Sequence, residues 1–98
     1  MALKRTQATD RLMEALLCLR TREEAYQLFE DLCTVKEIQD MAQRLEIAFL
    51  LKQGTKYQDV VARTGVSSAT ISRVNRCLQY GAGGYQLVTG RLPAEEDA

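Results

Sequence analysis

Apolar residues recur at intervals of three and four positions along most of the chain, with polar residues between them, as in amphipathic helices. Short polar or glycine-containing segments interrupt the pattern. We predict five helices, over about residues 9–19, 21–33, 35–52, 57–64 and 67–79. The expected fold is all-α, with residues 1–92 forming a single helical domain and residues 93–98 an acidic, disordered tail.

Two threonines mark predicted helix starts. Thr21 precedes Glu24 by three residues, and Thr34 precedes Glu37 by the same interval. This is the spacing of a capping box, in which each side chain bonds the backbone amide of the other residue. The boxes place the starts of the second and third helices.

The third predicted helix has more apolar residues than one face can hold. Its main stripe is Ile38, Met41, Ala42, Leu45, Ala48 and Phe49. Ile47, Leu50 and Leu51 lie outside that stripe, so the second half of the helix is apolar on nearly all sides. We expect a second copy of the chain to cover it in a homodimer. The alternative is that these side chains contact the chain's own C-terminal segment.

Residues 57–78 have the pattern of a DNA-binding helix-turn-helix. Gly65 can adopt the positive φ that the sharp turn requires, and Ser67 or Ser68 is placed to cap the second helix. Inward side chains are expected at Val60, Val61, Val66, Ile71, Val74 and Leu78. The alternative is a helical corner that serves only in packing.

The remaining face of this motif is hydroxylic and basic, which suits entry into a major groove. Residues 52–76 contain five basic residues and one acidic residue, although the whole chain has a formal net charge of zero. Base contacts are predicted for Gln58, Ser68, Thr70 and Ser72. Phosphate contacts are predicted for Lys56, Arg73 and Arg76. Ser67 completes the predicted DNA-binding set.

The composition argues against other classes of function. The chain has three cysteines without CxxC spacing and no histidine, so neither a zinc site nor any other cofactor is expected. It lacks a nucleophile elbow and a phosphate-binding glycine loop, so we do not expect an enzyme. No wholly apolar run is longer than the five residues 47–51, which is too short for a membrane span, and no signal peptide is visible. We expect a cytoplasmic protein.

Two segments resemble the Trp repressor family. These are residues 44–54, with sequence RLEIAFLLKQG, and residues 69–75, with sequence ATISRVN. Residues 68–81, followed by Gly83, Gly84 and Tyr85, resemble still more closely the YerC and YecD group of Trp-repressor-related bacterial proteins. The resemblance implies an intertwined homodimer whose two reading heads enter successive major grooves of an operator.

The resemblance also implies an effector pocket. In the Trp repressor two arginines enclose the indole of bound tryptophan, and Arg44 and Arg73 occupy the matching positions. Thr34 matches a threonine near that pocket. Val74 stands in place of a glycine and Cys77 in place of a serine that helps to recognise the ligand's amino group. A pocket formed by Thr34, Arg44, Arg73 and Cys77 therefore suits tryptophan poorly, because valine narrows it and a thiol is a weak acceptor.

These observations together predict a sequence-specific DNA-binding transcriptional regulator, in particular a repressor of a pseudo-palindromic operator. Its expected partners are double-stranded DNA and a second copy of the chain, and no membrane is expected. A small effector in the pocket is one interpretation of Arg44, and the alternative is that Arg44 pairs with a carboxylate such as Glu46 or Glu37. The alternative is a helical protein-interaction adapter without specific DNA binding, which the neutral net charge favours.

Overall fold

The computed structural model describes residues 3–93, and within them it contains six α-helices and no strands. The helices are α1 (Gln7–Leu17), α2 (Arg22–Leu32), α3 (Val35–Lys52), α4 (Tyr57–Thr64), α5 (Ser68–Tyr80) and α6 (Gly84–Arg91). The all-α prediction is confirmed. The prediction of five helices is one short over these residues, because α6 forms in a segment that carries no helix signal in its sequence. The predicted acidic tail lies outside the described residues except for Pro93.

The chain divides into two compact units, Met1–Gln39 and Asp40–Ala98, which we call the N-terminal and C-terminal units. The boundary falls inside α3. The assignment of residues 1–92 to one domain stays a prediction. None of the helices in the described part of the chain is long and apolar enough to span a membrane.

Helix α1 begins two residues earlier than predicted because Thr6 caps it. The Thr6 hydroxyl accepts a hydrogen bond from the Thr9 backbone N–H at 3.1 Å, and the Thr9 hydroxyl oxygen accepts one from the Thr6 N–H at 2.8 Å. Two threonines thus form the reciprocal box that usually pairs Ser or Thr with a glutamate.

The two predicted capping boxes differ in the structure. Thr34 and Glu37 form a complete box: the Thr34 N–H donates to Glu37 Oε1 at 2.8 Å, and the Glu37 N–H donates to Thr34 Oγ1 at 3.1 Å. The first of these bonds lowers the pKa of Glu37 below its ordinary value of 4.5, because it stabilises the charged carboxylate. At α2, the Thr21 hydroxyl accepts from the Glu24 N–H at 3.1 Å, but the Glu24 carboxylate accepts from the backbone N–H of Arg20 at 2.9 Å and not from that of Thr21.

Neither α1 nor α2 contains a buried residue. Several of their apolar side chains are exposed in the single chain, with Leu17 85% exposed and Leu32 54% exposed, while Leu16, Leu28 and Phe29 are half-buried. Such a face leaves the helices without the apolar burial that stabilises most helices in proteins. The two helices therefore lack a buried core of their own.

The C-terminal unit contains the buried core. Its cluster consists of Ile47, Ala48, Leu50, Val60, Ile71 and Val74, with Leu51, Val66 and Tyr85 packed against it. The core therefore includes Ile47 and Leu50, which lie outside the predicted inward stripe of α3, whereas Ala42 of that stripe is exposed. The expected inward face is right at Ala48, which is buried in this cluster, and wrong at Ala42, and it was too narrow because the core also includes Ile47 and Leu50. Ile47 and Leu50 are thus buried within their own chain, together with Val60, Ile71 and Val74, and Tyr85 of the C-terminal segment packs against the same cluster. The homodimer stays a prediction.

Helix α6 is joined to α5 by a glycine-rich turn. Gly81 follows α5, and a Cβ at this position would overlap the backbone carbonyl of Cys77, so a larger residue would force the turn open. Gly83 then adopts a φ of 93° and precedes the first residue of α6. The sequence pattern did not predict α6, because the helix begins at Gly84 and includes Gly90, and glycine has a low helix propensity.

Candidate nucleic-acid interface

Helices α4 and α5 form the predicted helix-turn-helix, with the turn at Gly65. This glycine has φ 73° and ψ 7°, and its N–H donates to the Val61 carbonyl at 2.8 Å, which closes the end of α4. The Thr64 hydroxyl donates to the Val60 carbonyl at 2.7 Å. The predicted positive φ at the turn is confirmed.

Ser67, and not Ser68, caps α5. The Ser67 hydroxyl oxygen accepts from the Thr70 backbone N–H at 3.3 Å and lies 3.2 Å from the Thr70 hydroxyl. Ser68 is the first residue of the helix and is exposed. The cap therefore occupies one hydroxyl of the predicted DNA-binding set and leaves the Ser68 hydroxyl outside the cap.

The inward side chains of the motif are confirmed with one exception. Buried positions are Val60, Ile71, Val74 and Leu78, and Val66 packs against the core. Val61 was predicted inward but is 36% exposed, since the α4 face that meets the core is centred on Val60.

The predicted DNA-binding residues flank or oppose this buried stripe. Ser72, Arg73 and Arg76 are exposed and lie within about one turn of one another on α5. Lys56 immediately precedes α4, Gln58 is in its first turn, and both are exposed. The fold thus presents hydroxyl, amide and cationic groups together at the surface of the helix-turn-helix, on a unit whose core fixes the helices beneath them.

A cleft of about 610 Å³ lies beside the helix-turn-helix in the C-terminal unit. Three predicted pocket residues line it, namely Arg44 from α3 and Arg73 and Cys77 from α5. The fourth, Thr34, belongs to the N-terminal unit, where its side chain caps α3. Sequence reasoning missed the lining residues Met41, Leu45, Gly81–Gly84, Tyr85 and Val88.

Arg73 belongs to both predicted sites, because it is exposed on α5 and also lines the cleft. Within residues 3–93, no group of three or more Cys, Asp or Glu side chains is arranged to hold a metal ion.

Residues 7–92 match the Trp repressor protein family. The chain belongs to the Trp repressor family. It is 47% identical over 87 residues to the uncharacterized protein YerC of Bacillus subtilis (strain 168), covering 89% of this chain and 84% of YerC. The resemblance drawn from the sequence is confirmed.

Two solved structures have the same fold. A candidate Trp repressor from Staphylococcus aureus superposes with a TM-score of 0.87 at 47% identity, over 95% of this chain and 93% of that one. A TrpR-like protein from Eubacterium eligens ATCC 27750 also gives 0.87, at 48% identity, over 94% and 95% of the two chains. Membership of the Trp repressor family indicates a DNA-binding regulator, which is the broad function predicted from the sequence.

Proposed function

We propose that this Trp repressor family protein is a sequence-specific transcriptional repressor that inserts α5 into the major groove of DNA. The observation that carries the proposal is the arrangement of α4 and α5: a left-handed glycine at the turn, a buried stripe beneath α5 and an exposed basic and hydroxylic face above it. Small hydroxylic side chains allow close approach to base edges, and arginines bond phosphate or guanine.

The residues of this face have different roles in the proposal. We assign base contacts to Gln58, Ser68, Thr70 and Ser72, where a change of hydrogen-bonding group would alter sequence preference. Lys56, Arg73 and Arg76 contact phosphates, where charge matters more than identity. Ser67 acts through its cap, which holds the first turn of α5 in shape.

The proposed active species is an intertwined homodimer. The second half of α3 does not support the dimer, because Ile47 and Leu50 are buried within their own chain. The support comes from α1 and α2, which contain no buried residue and expose apolar side chains such as Leu17 and Leu32. Covering these faces with a second copy would bury apolar area that a single chain leaves in water. Two α5 helices then meet half-sites about 34–36 Å apart, one turn of B-DNA. Repression follows from occlusion of the operator.

Selection of bound DNA from a random pool at near-physiological salt tests the proposal. We expect recovery of a two-fold symmetric sequence whose half-sites are one helical turn apart. A Gln58→Ala and Ser72→Ala double variant is the control, and it should select a different or weaker consensus. If the wild-type protein enriches no sequence, with or without added amino acids, specific DNA binding is refuted.

The cleft lined by Arg44, Arg73 and Cys77 is the proposed place for a small effector other than tryptophan. Val74 contributes to its wall, where a glycine would leave more room, and the Cys77 thiol is a poor acceptor for an ammonium group. Calorimetric titration with tryptophan should give no saturable heat. Tight, stoichiometric binding would show that Val74 and Cys77 do not exclude the indole.

A protein-interaction adapter is the second candidate function, and the exposed apolar faces of α1 and α2 favour it. Size-exclusion chromatography with light scattering separates the two. A dimer of twice the 11.0 kDa chain mass supports the regulator. A monomer or an aggregate supports an adapter that lacks its partner.

A further inference from the structure

Each helix of the helix-turn-helix ends with a backbone carbonyl that accepts a hydrogen bond from a glutamine of a flanking helix. Gln43 of α3 donates through Nε2 to the carbonyl of Thr64, the last residue of α4, at 3.4 Å. Gln86 of α6 donates through Nε2 to the carbonyl of Leu78, in the last turn of α5, at 3.0 Å. Carbonyls in the last turn of a helix have no partner within the helix, so these side chains fill positions that are otherwise left to water.

Gln86 has a second partner. Its Oε1 accepts a hydrogen bond from the ammonium group of Lys52, the last residue of α3. One amide therefore connects the ends of α3 and α5 to the first turn of α6, and uses both its donor and its acceptor. The same bond directs the Lys52 side chain toward α6. Lys52 is one of the five basic residues counted between positions 52 and 76, so this lysine is drawn away from the predicted DNA-binding face.

We propose that Gln43 and Gln86 are positioning residues for DNA recognition, which hold α4 and α5 at a fixed angle by bonding their C-terminal carbonyls. The inference rests on the proposed function, since its consequence is the alignment of α5 in the groove. Gln86 has the larger effect, because its bond is shorter and because it holds the recognition helix. Neither residue contacts DNA.

The test uses Gln86→Ala, Gln86→Glu and Lys52→Met in the full chain. Gln86→Glu keeps an acceptor for Lys52 but cannot donate to Leu78, so both Gln86 variants should weaken binding to the selected operator by about threefold to tenfold, the worth of one such bond. The dependence of affinity on salt should not change, because no phosphate contact is lost. Gln53→Ala is the matched control, since Gln53 is exposed and adjacent to Lys52, and it should bind as wild type.

Lys52→Met distinguishes the two hydrogen bonds of Gln86, because it removes the bond to Lys52 and leaves the bond to the Leu78 carbonyl. If Lys52 serves only to hold Gln86, the variant should lose less affinity than Gln86→Ala and keep the wild-type salt dependence. If the slope of affinity against salt falls by about one, Lys52 contacts a phosphate, and its assignment to Gln86 is overturned.

Amide hydrogen exchange of the protein without DNA provides a measurement that does not depend on function. In Gln86→Ala we expect faster exchange at Gly81 and Leu87, whose amides close the last turn of α5 and the first turn of α6, and in Gln43→Ala at Gly65. Amides of α1 and α2 should exchange as in wild type.

Weaker DNA binding with unchanged exchange would mean that Gln86 touches DNA directly, and unchanged binding and exchange would refute the positioning role. If wild type binds no DNA, the proposed function fails, while the exchange rates still decide whether the glutamines hold the helices.

Discussion

Gly65 is the residue on which the helix-turn-helix geometry depends most directly. A Cβ at this position would meet no atom within 4 Å, so the restriction is conformational and not steric crowding by neighbours. A residue other than glycine costs about 1–2 kcal/mol at a positive φ. We expect Gly65→Ala to lower the free energy of unfolding by about 1 kcal/mol or more, as measured by urea denaturation.

Two further variants provide the controls for Gly65. Gly65→Asn should cost less than Gly65→Ala, because asparagine tolerates the left-handed region better. Gly90→Ala should leave stability unchanged or raise it, since Gly90 lies in α6 without a positive φ. Equal stability of wild type and Gly65→Ala would show that the turn relaxes to another conformation.

Arg76 and Ser72 lie one helical turn apart on the exposed face of α5 and have opposite proposed roles. Arg76→Ala should weaken binding to all DNA sequences and reduce the slope of log affinity against log salt by about one. Ser72→Ala should alter the preference among sequences and leave the slope unchanged. Fluorescence anisotropy on operator and scrambled duplexes over a series of salt concentrations measures both effects, and the reverse pattern would exchange the two assignments.

At the scale of the element, the start of α3 is linked to pH through Glu37. Its pKa in the folded protein is lower than its ordinary value of 4.5, so the capping box contributes stability that is fully present above pH 4.5 and is lost as pH falls through the folded value. We expect Glu37→Gln to lower stability at neutral pH, and the difference from wild type to shrink below pH 4.5. Thermal unfolding at several pH values and one protein concentration measures this difference.

Direct titration of Glu37 checks the cause. The chemical shift of its side-chain carboxyl carbon should report a pKa below 4.5, because the Thr34 N–H bonds the charged form. Titration at or above 4.5 would contradict the capping explanation even if the stability of the Gln variant fell.

The elements that could be predicted best from sequence are those with a strong local signal at one end or the other. The bounds of α3 and α4 are those predicted, because the Thr34 box and Gly65 specify them. The start of α1 was predicted two residues too late, because its cap pairs Thr6 with Thr9 and not with a glutamate. Helix α6 was missed because it depends on tertiary contacts, namely the Gln86 bond to α5 and the packing of Tyr85 against the core.

In the molecule as a whole, the sequence pattern correctly predicted more apolar surface than a single chain buries. We placed that surface on α3, whereas the structure exposes it on α1 and α2. Periodicity gives the faces of a helix but not which neighbour each face meets. Ile47 and Leu50 are buried within their own chain, whereas Leu17 of α1 is 85% exposed. The same limit applies to the site: the resemblance to the Trp repressor supplied Arg44, Arg73 and Cys77 for the cleft, but not the turn and α6 that complete it.

Leu17→Glu tests the proposed homodimer where the single chain is most exposed. In a monomer, replacing a leucine that is 85% exposed should change stability by less than about 0.5 kcal/mol. In a dimer that covers α1, a glutamate there loses apolar burial and adds a desolvated charge. We expect Leu17→Glu to shift the light-scattering mass from dimer toward monomer and to lower the thermal midpoint.

The midpoint should also depend on protein concentration, since a dimer that dissociates on unfolding is stabilised by mass action. Gln27→Glu is the matched control, because it makes the same charge change at an exposed polar position of α2 and should leave the mass unchanged. A wild-type monomer with a midpoint independent of concentration would refute the dimer. A dimer that Leu17→Glu does not weaken would place the interface elsewhere, and the exposed face of α1 would then remain for a different partner.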